Sequence, residues 1–180
     1  MTMLRHTLLA GRAVALGGEL PAAVRDRLTG LGARVLELDP GLDEDGAREQ
    51  VSEEEGVSAL VYDAGPGFAG GGQAALRDSL ERVWVATRAV ATGALIPAGA
   101  GKAVLIAPRP GAGPFAEAVS AGLENLARTL SVEWARYGVT AVAIAPGAHA
   151  SDDDLAELVC FLVSPAGEYF SGCRFELGAA

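Results

Sequence analysis

The residues of this 180-residue chain that could exchange a proton with a substrate are few and stand apart from one another. His149, Asp63 and Glu117 could each act as a general acid or base in an enzyme with altered chemistry. None of them has a second reactive group close by in the sequence, and a polar surface role is the more usual one for each. Their spacing alone therefore indicates no active site.

Two glycine-containing segments could bind phosphate groups, but neither has the complete pattern. The stretch 65–72 (GPGFAGGG) is not followed by a lysine and a hydroxyl residue at the required spacing, so we predict a flexible loop there. Lys102, the only lysine, lacks both the leading glycine and the following hydroxyl.

The acidic residues fit structural roles better than metal binding. The segment 43–55 is predicted to be a solvated helix or loop, because a bound metal would need ligands from several elements. Ser151 with Asp154 three residues later has the pattern of a capping box at the start of a helix. Asp152, Asp153 and Asp154 are therefore interpreted as favourable charges at a helix N-terminus.

Charge and composition limit the partners and the compartment. The net charge of −9 argues against nucleic acid or an anionic membrane as the partner, since both favour clustered lysine and arginine. No apolar run approaches membrane-spanning length, so we expect neither a signal peptide nor an anchor. Cys160 and Cys173 are predicted to be buried free thiols, which fits a reducing cytoplasm.

Short apolar runs alternate with helical patterns along the chain, which is typical of an α/β protein. We predict a single domain over residues 1–180, with a Rossmann-like, doubly wound parallel sheet and helices on both faces. The predicted strands are 12–16, 33–38, 58–62, 102–107, 139–145 and 172–177. The predicted helices are 21–31, 74–94, 114–136 and 151 to about 164.

Segments in the same order resemble landmarks of the short-chain dehydrogenase/reductase family, and the likeness covers nearly the whole chain. They are GG at 17–18, GARV at 32–35, LVYDAG at 60–65, LENLARTLSVE at 123–133, VTAVAIAPG at 139–147, LAELVCFLVSP at 155–165 and SGCRFELG at 171–178. The resemblance implies a truncated member of this oxidoreductase family, with a shortened sheet of about six strands.

The resemblance also implies catalytic positions, and here the sequence departs from the family. Family chemistry needs a tyrosine whose pKa is lowered by a lysine four residues later. Alignment places Ala116 at the tyrosine position and Ser120 at the lysine position, and Pro108 lies near the serine position. Ala98 stands four residues before Lys102, so the pair occurs nowhere, and the only asparagine is on the wrong helix. We expect no catalytic residue.

The dinucleotide site that the resemblance implies is eroded. Its remaining positions are Gly17, Gly18, Asp39, Ala64, Gly65, Pro146 and Gly147. Glu19 would repel phosphate groups, and Pro21 lacks an N–H donor. Asp39 could accept hydrogen bonds from ribose hydroxyls, or it could form a turn with the following Pro40 and Gly41. We expect no cofactor, with NAD(P) as the alternative.

In the family, the two long helices pack against a neighbouring subunit and the last strand region meets another. Candidate interface residues are Trp84, Arg88, Phe115, Leu123 and Trp134, and packing on the chain's own sheet is the alternative for each. We predict a non-catalytic subunit that forms a dimer or tetramer with an active family member or with itself. The alternatives are a nucleotide- or acyl-CoA-binding module and an atypical NAD(P)-dependent oxidoreductase.

Overall fold

The computed structural model describes residues 6–68 and 72–178, which form a six-stranded sheet. The strands are β1 (Ala13–Gly18), β2 (Arg34–Glu37), β3 (Val57–Asp63), β4 (Gly101–Ile106), β5 (Val139–Pro146) and β6 (Arg174–Leu177). They lie in the order β2-β1-β3-β4-β5-β6, and every neighbouring pair is parallel. This confirms the predicted Rossmann-like sheet.

Helices cover both faces of the sheet. They are α1 (Ala22–Gly30), α2 (Glu44–Glu53), α3 (Gly65–Phe68), α4 (Gln73–Val90), α5 (Ile96–Ala98), α6 (Ala116–Glu133) and α7 (Asp152–Leu162). Alternate strand residues point to opposite faces. Val14, Val104 and Ile144 pack with α1 and α7, whereas Leu60 and Leu105 pack on the other face, which α2, α4 and α6 cover.

Side-chain caps mark the first residues of α7 and α2. Ser151 Oγ accepts a hydrogen bond from the Asp154 N–H at 3.1 Å and donates one to the Asp154 carboxylate at 2.7 Å. This confirms Ser151 as the N-cap of α7, although the Asp154 carboxylate accepts from the Ser151 hydroxyl and not from its backbone N–H as in a complete capping box. The Asp43 carboxylate accepts from the Gly46 N–H at 2.9 Å and caps α2, so the acidic segment is a helix.

The glycine-rich stretch 65–72 differs from the predicted flexible loop. Its first residues form the short helix α3, and Phe68 at the end of α3 is fully buried. Phe68 packs with Ala64 and Ala116, and burial of this aromatic ring orders the segment. Residues 69–71 lie outside the described part of the chain.

Two further predictions need correction. The helix predicted over 74–94 is longer, because α4 continues through a π-helical turn (Ala91–Leu95) into α5. Of the two cysteines, Cys160 is buried as predicted, but Cys173 is exposed; both are free. Within the described residues, none of the helices has the length and apolar character needed to cross a membrane.

Candidate functional site

The carboxyl ends of the parallel strands meet at one edge of the sheet, where ligands bind in open α/β folds. Two cavities lie along this edge. The larger, of about 510 Å³, lies beside the ends of β1 and β3, the segment that follows β2, and α4. The smaller, of about 220 Å³, lies where β1, β3, β4 and β5 end. Asp63, the last residue of β3, lines both cavities.

The two glycines at the end of β1 are required by packing within the chain. A Cβ atom at position 17 would overlap the Tyr62 ring. Gly18 has a φ of 76°, and a Cβ atom there would overlap the Asp63 carbonyl oxygen. Tyr62 and Asp63 therefore lie directly against the positions that the family resemblance assigns to cofactor binding.

The turn between β1 and α1 does not fit the pyrophosphate of a dinucleotide. Such a site needs backbone N–H groups at the start of a helix. Here Pro21 precedes α1 and supplies no N–H, and the Glu19 carboxylate lines both cavities. Asp39 accepts a hydrogen bond from the Gly41 N–H at 2.8 Å, as expected for the turn-forming alternative.

Asp63 is the most perturbed acid at this edge. Its side chain is buried, and its Oδ1 accepts a hydrogen bond from the Gly65 N–H at 2.8 Å. Burial raises the pKa of Asp63 to about 6, although the Gly65 N–H and the positive charge of Arg109 act in the opposite direction. His149 and Glu117, the other two candidate acids or bases, are exposed and line neither cavity.

Arg109 closes one side of the smaller cavity. Its guanidinium donates hydrogen bonds to the carbonyls of Gly147 and Ala150 and forms an ion pair with Asp152 at 2.9 Å. These contacts fix the short connection between β5 and α7 against the end of β4. These contacts could not be predicted from the sequence, because Arg109 and Asp152 are far apart along the chain.

The positions that the resemblance assigns to catalysis lie within apolar packing. Ala116 is only 4% exposed and belongs to the cluster that contains Ala64, Phe68 and Ala107. Pro108 is buried two residues after the end of β4, and Ser120 is partly buried one turn beyond Ala116. None of these side chains could protonate a carbonyl group.

The other predicted site residues are divided between the cavities. Ala64 lines the larger one, and Gly65 and Pro146 line the smaller one. Gly147 lines neither; its N–H donates to the Leu177 carbonyl. Sequence analysis did not predict that Tyr62 lines the larger cavity. Among the described residues, no group of histidine, cysteine and acidic side chains is arranged to hold a metal ion.

Comparisons with known proteins found solved structures with the same fold but no relative by sequence. No protein-family model matches the chain, and no curated protein matches it by sequence. An oxidoreductase of the short-chain dehydrogenase/reductase family from Burkholderia thailandensis matches with a TM-score of 0.80 and 21% identity, over 92% of this chain and 91% of that chain. The chain has the fold of the short-chain dehydrogenases/reductases.

Two further structures with this fold show the same extent of agreement. The citronellol catabolism dehydrogenase of Pseudomonas aeruginosa matches with a TM-score of 0.78 and 20% identity, over 98% of this chain and 97% of that chain. A 3-ketoacyl-(acyl-carrier-protein) reductase from Brucella melitensis, solved in complex with NADH, has a TM-score of 0.78 and 19% identity, over 93% of this chain and 97% of its own. Ligands of open α/β folds bind at the carboxyl ends of the strands, and both cavities lie at that edge. This edge is the candidate functional site of the present chain.

Proposed function

We propose that this chain is a non-catalytic subunit with the short-chain dehydrogenase/reductase fold, which assembles with an active enzyme of that fold or with a second copy of itself. The observation that carries the proposal is the packing around Ala116. This position is filled by a methyl group among Ala64, Phe68 and Ala107, where the family resemblance implies a catalytic phenol. A phenol there would need space that these side chains occupy.

The location of the only lysine supports the same proposal. Lys102 is the second residue of β4, so it lies near the amino ends of the strands, at the opposite edge from both cavities. The residue is 4% exposed, and its ammonium group donates hydrogen bonds to the carbonyls of Gly167 and Phe170. It cannot reach a substrate or a ribose at the carboxyl edge.

The outer surface of α4 and α6 supports assembly. Trp84 is 38% exposed on α4, and Val132 is 77% exposed on α6. The Arg88 guanidinium lies 5.4 Å from the centre of the Trp84 ring and also pairs with Glu44 of α2. Tryptophan and arginine are enriched among residues that dominate binding energy in interfaces.

The remaining interface candidates pack within the chain. Leu123 is fully buried in the apolar cluster beneath α6, so the core-packing alternative describes it. Phe115 and Trp134 are partly buried and pack against apolar clusters on the face of the sheet that α4 and α6 cover. We therefore assign the proposed contact surface to Trp84 and Arg88.

Native mass spectrometry tests the assembly. The chain is purified from its native host, and separately after co-expression with the product of any dehydrogenase gene that neighbours its own. We expect a dimer or tetramer of the chain, or a mixed complex with the dehydrogenase. A monomer in both preparations would refute the proposal of an assembling subunit.

A further inference from the structure

The smaller cavity has mainly apolar walls. Its apolar lining residues are Pro21, Ile106, Ala107, Ala112, Pro146 and Leu155. Its volume of about 220 Å³ is that of about seven water-sized groups at roughly 30 Å³ each. Apolar walls with a few polar groups are typical of sites for small molecules. The cavity therefore has room for a ligand of about four to six carbon atoms and one polar group.

The carboxylate of Asp63 is directed toward the smaller cavity. Its Oδ1 accepts a hydrogen bond from the Gly65 N–H at 2.8 Å, and Gly65 lines the smaller cavity but not the larger one. Arg109 and Asp152, whose charges act on the Asp63 carboxyl group, also line only the smaller cavity. Asp63 is 8% exposed, and among the described residues no group donates a hydrogen bond to its Oδ2. This oxygen is a buried acceptor that a ligand can reach.

Arg109 does not neutralise Asp63 by direct contact. Its guanidinium donates hydrogen bonds to the carbonyls of Gly147 and Ala150 and pairs with Asp152 at 2.9 Å. In the described part of the chain, no lysine or arginine forms an ion pair with Asp63. A buried carboxylate with one N–H donor is costly, and a positive charge supplied by a ligand would offset that cost.

The charges of the lining favour a cation over an anion. Three acids (Glu19, Asp63 and Asp152) and one arginine (Arg109) give the lining a net charge of −2 when all four are ionised. Burial raises the pKa of Asp63 to about 6, so its carboxyl group is mostly ionised at pH 7.5. The field of such a lining repels anions. Its apolar walls suit an alkyl group rather than the hydration water of a metal ion.

We propose that the smaller cavity binds a short aliphatic monoamine, whose ammonium group donates to Asp63 Oδ2 and whose alkyl chain packs on Ile106 and Leu155. A single ammonium group matches the single buried acceptor without a partner, and the apolar walls take the rest of the ligand. The inference does not depend on the proposed assembly of the subunit, because all the lining residues belong to one chain.

Isothermal titration calorimetry tests the charge preference with three ligands of the same length. They are n-butylammonium, which is positive, 1-butanol, which is neutral, and butyrate, which is negative. Each is titrated at pH 7.5 and 0.15 M salt, where charges on the surface are screened. We expect n-butylammonium to bind at one site per chain, at least about tenfold more tightly than 1-butanol, and butyrate to bind more weakly than both.

Three variants locate the site. Asp63→Asn removes the buried charge and keeps the size of the side chain, and Ala112→Leu fills the cavity without a change of charge. Asp78→Asn is the matched control, because Asp78 is an exposed acid of α4 that lines only the larger cavity. Circular dichroism checks that each variant is folded.

Asp63→Asn should weaken n-butylammonium binding by about tenfold or more and leave 1-butanol binding within about threefold, because only the ammonium loses a charged partner. Ala112→Leu should weaken the binding of both ligands, and Asp78→Asn should leave both unchanged within about twofold. Failure of n-butylammonium to bind, equal binding of butyrate, or an equal loss in Asp63→Asn and Asp78→Asn would overturn the proposal.

Discussion

At the scale of single residues, burial determines the chemistry of Asp63. Removal of its carboxyl group from water raises the pKa to about 6. The folded protein therefore binds the proton more tightly than the unfolded chain, in which the pKa is near 3.8. Ionised Asp63 consequently costs stability, and the cost is complete above pH 6, decreases between pH 6 and pH 4, and is absent below that range.

The substitution Asp63→Asn should therefore stabilise the protein at pH 7. Asparagine retains an oxygen that can accept the Gly65 N–H and removes the buried charge. We expect the free energy of unfolding to rise by up to about 3 kcal/mol at pH 7, and the gain to disappear near pH 4. Urea denaturation at both values of pH measures it, with Asp26→Asn, an exposed position within α1, as the control. A loss of stability in Asp63→Asn at pH 7 would contradict this account.

Gly18 provides a second test at this scale. Its positive φ and its contact with the Asp63 carbonyl leave no place for a Cβ atom. Gly18→Ala should lower the free energy of unfolding by about 3 kcal/mol in the absence of any nucleotide. Gly67→Ala, in open space within α3, is the matched control and should have an effect below about 1 kcal/mol. Equal stability of the two variants would show that Gly18 is not required by the fold.

At the scale of elements, the sequence predicted the regular parts and missed the long-range contacts. Short continuous apolar runs identified the six strands, because parallel strands that are buried on both faces consist almost entirely of hydrophobic residues. The capping pair Ser151 and Asp154 identified the start of α7 from neighbouring residues alone. The π-helical turn after α4 was not predicted. Gly93 lies within it, and a Cβ atom there would be 2.9 Å from the Arg48 carbonyl oxygen of α2, a close approach that spacing along the chain does not reveal.

In the candidate site, too, local features were predicted and long-range contacts were missed. The effects of Glu19, Pro21 and Asp39 were predicted because each acts within a single turn. The acidic lining of the larger cavity was not, because its members come from α2, α4 and three strand ends. The contacts of Arg109 with residues 147–152 likewise depend on how β4 and β5 are paired, which spacing along the chain does not reveal.

Lys102 offers a test at the scale of elements. Burial lowers its pKa to about 8, and its hydrogen bonds to the Gly167 and Phe170 carbonyls link β4 to the segment after α7. The lowered pKa increases the neutral, reactive fraction of the amine, but the residue is buried. An acylating reagent that modifies amines should react with folded Lys102 at least about tenfold more slowly than with the urea-unfolded chain, because the reagent cannot reach it. Peptide mass spectrometry measures both rates. Equal rates would show that the segment after α7 does not cover Lys102.

At the scale of the whole molecule, the chain has the short-chain dehydrogenase/reductase fold, and we propose that it lacks the reaction of those enzymes. The sheet and the long helices agree with enzymes of the short-chain dehydrogenase/reductase fold over more than nine-tenths of the chain. The edge that binds ligands in this fold is acidic, and the catalytic positions implied by the resemblance are apolar. We attribute the retained surface of α4 and α6 to assembly.

Trp84→Arg tests that attribution. The exposed indole should contribute to the subunit contact, so an added charge there should shift the protein from oligomer to monomer in native mass spectrometry. Thr29→Arg is the control, because Thr29 is exposed on α1, which lies on the opposite face of the sheet from α4 and α6. A Trp84→Arg variant that remains as oligomeric as the control would place the contact elsewhere.

The proposed absence of catalysis is tested most directly by following NADH and NADPH oxidation with the purified chain and a panel of aldehydes and ketones. We expect no turnover above the rate in buffer, because within residues 6–68 and 72–178 no phenol is paired with an amine at the carboxyl edge of the sheet. Turnover at about 1 per second or faster, as is usual for enzymes, would contradict it.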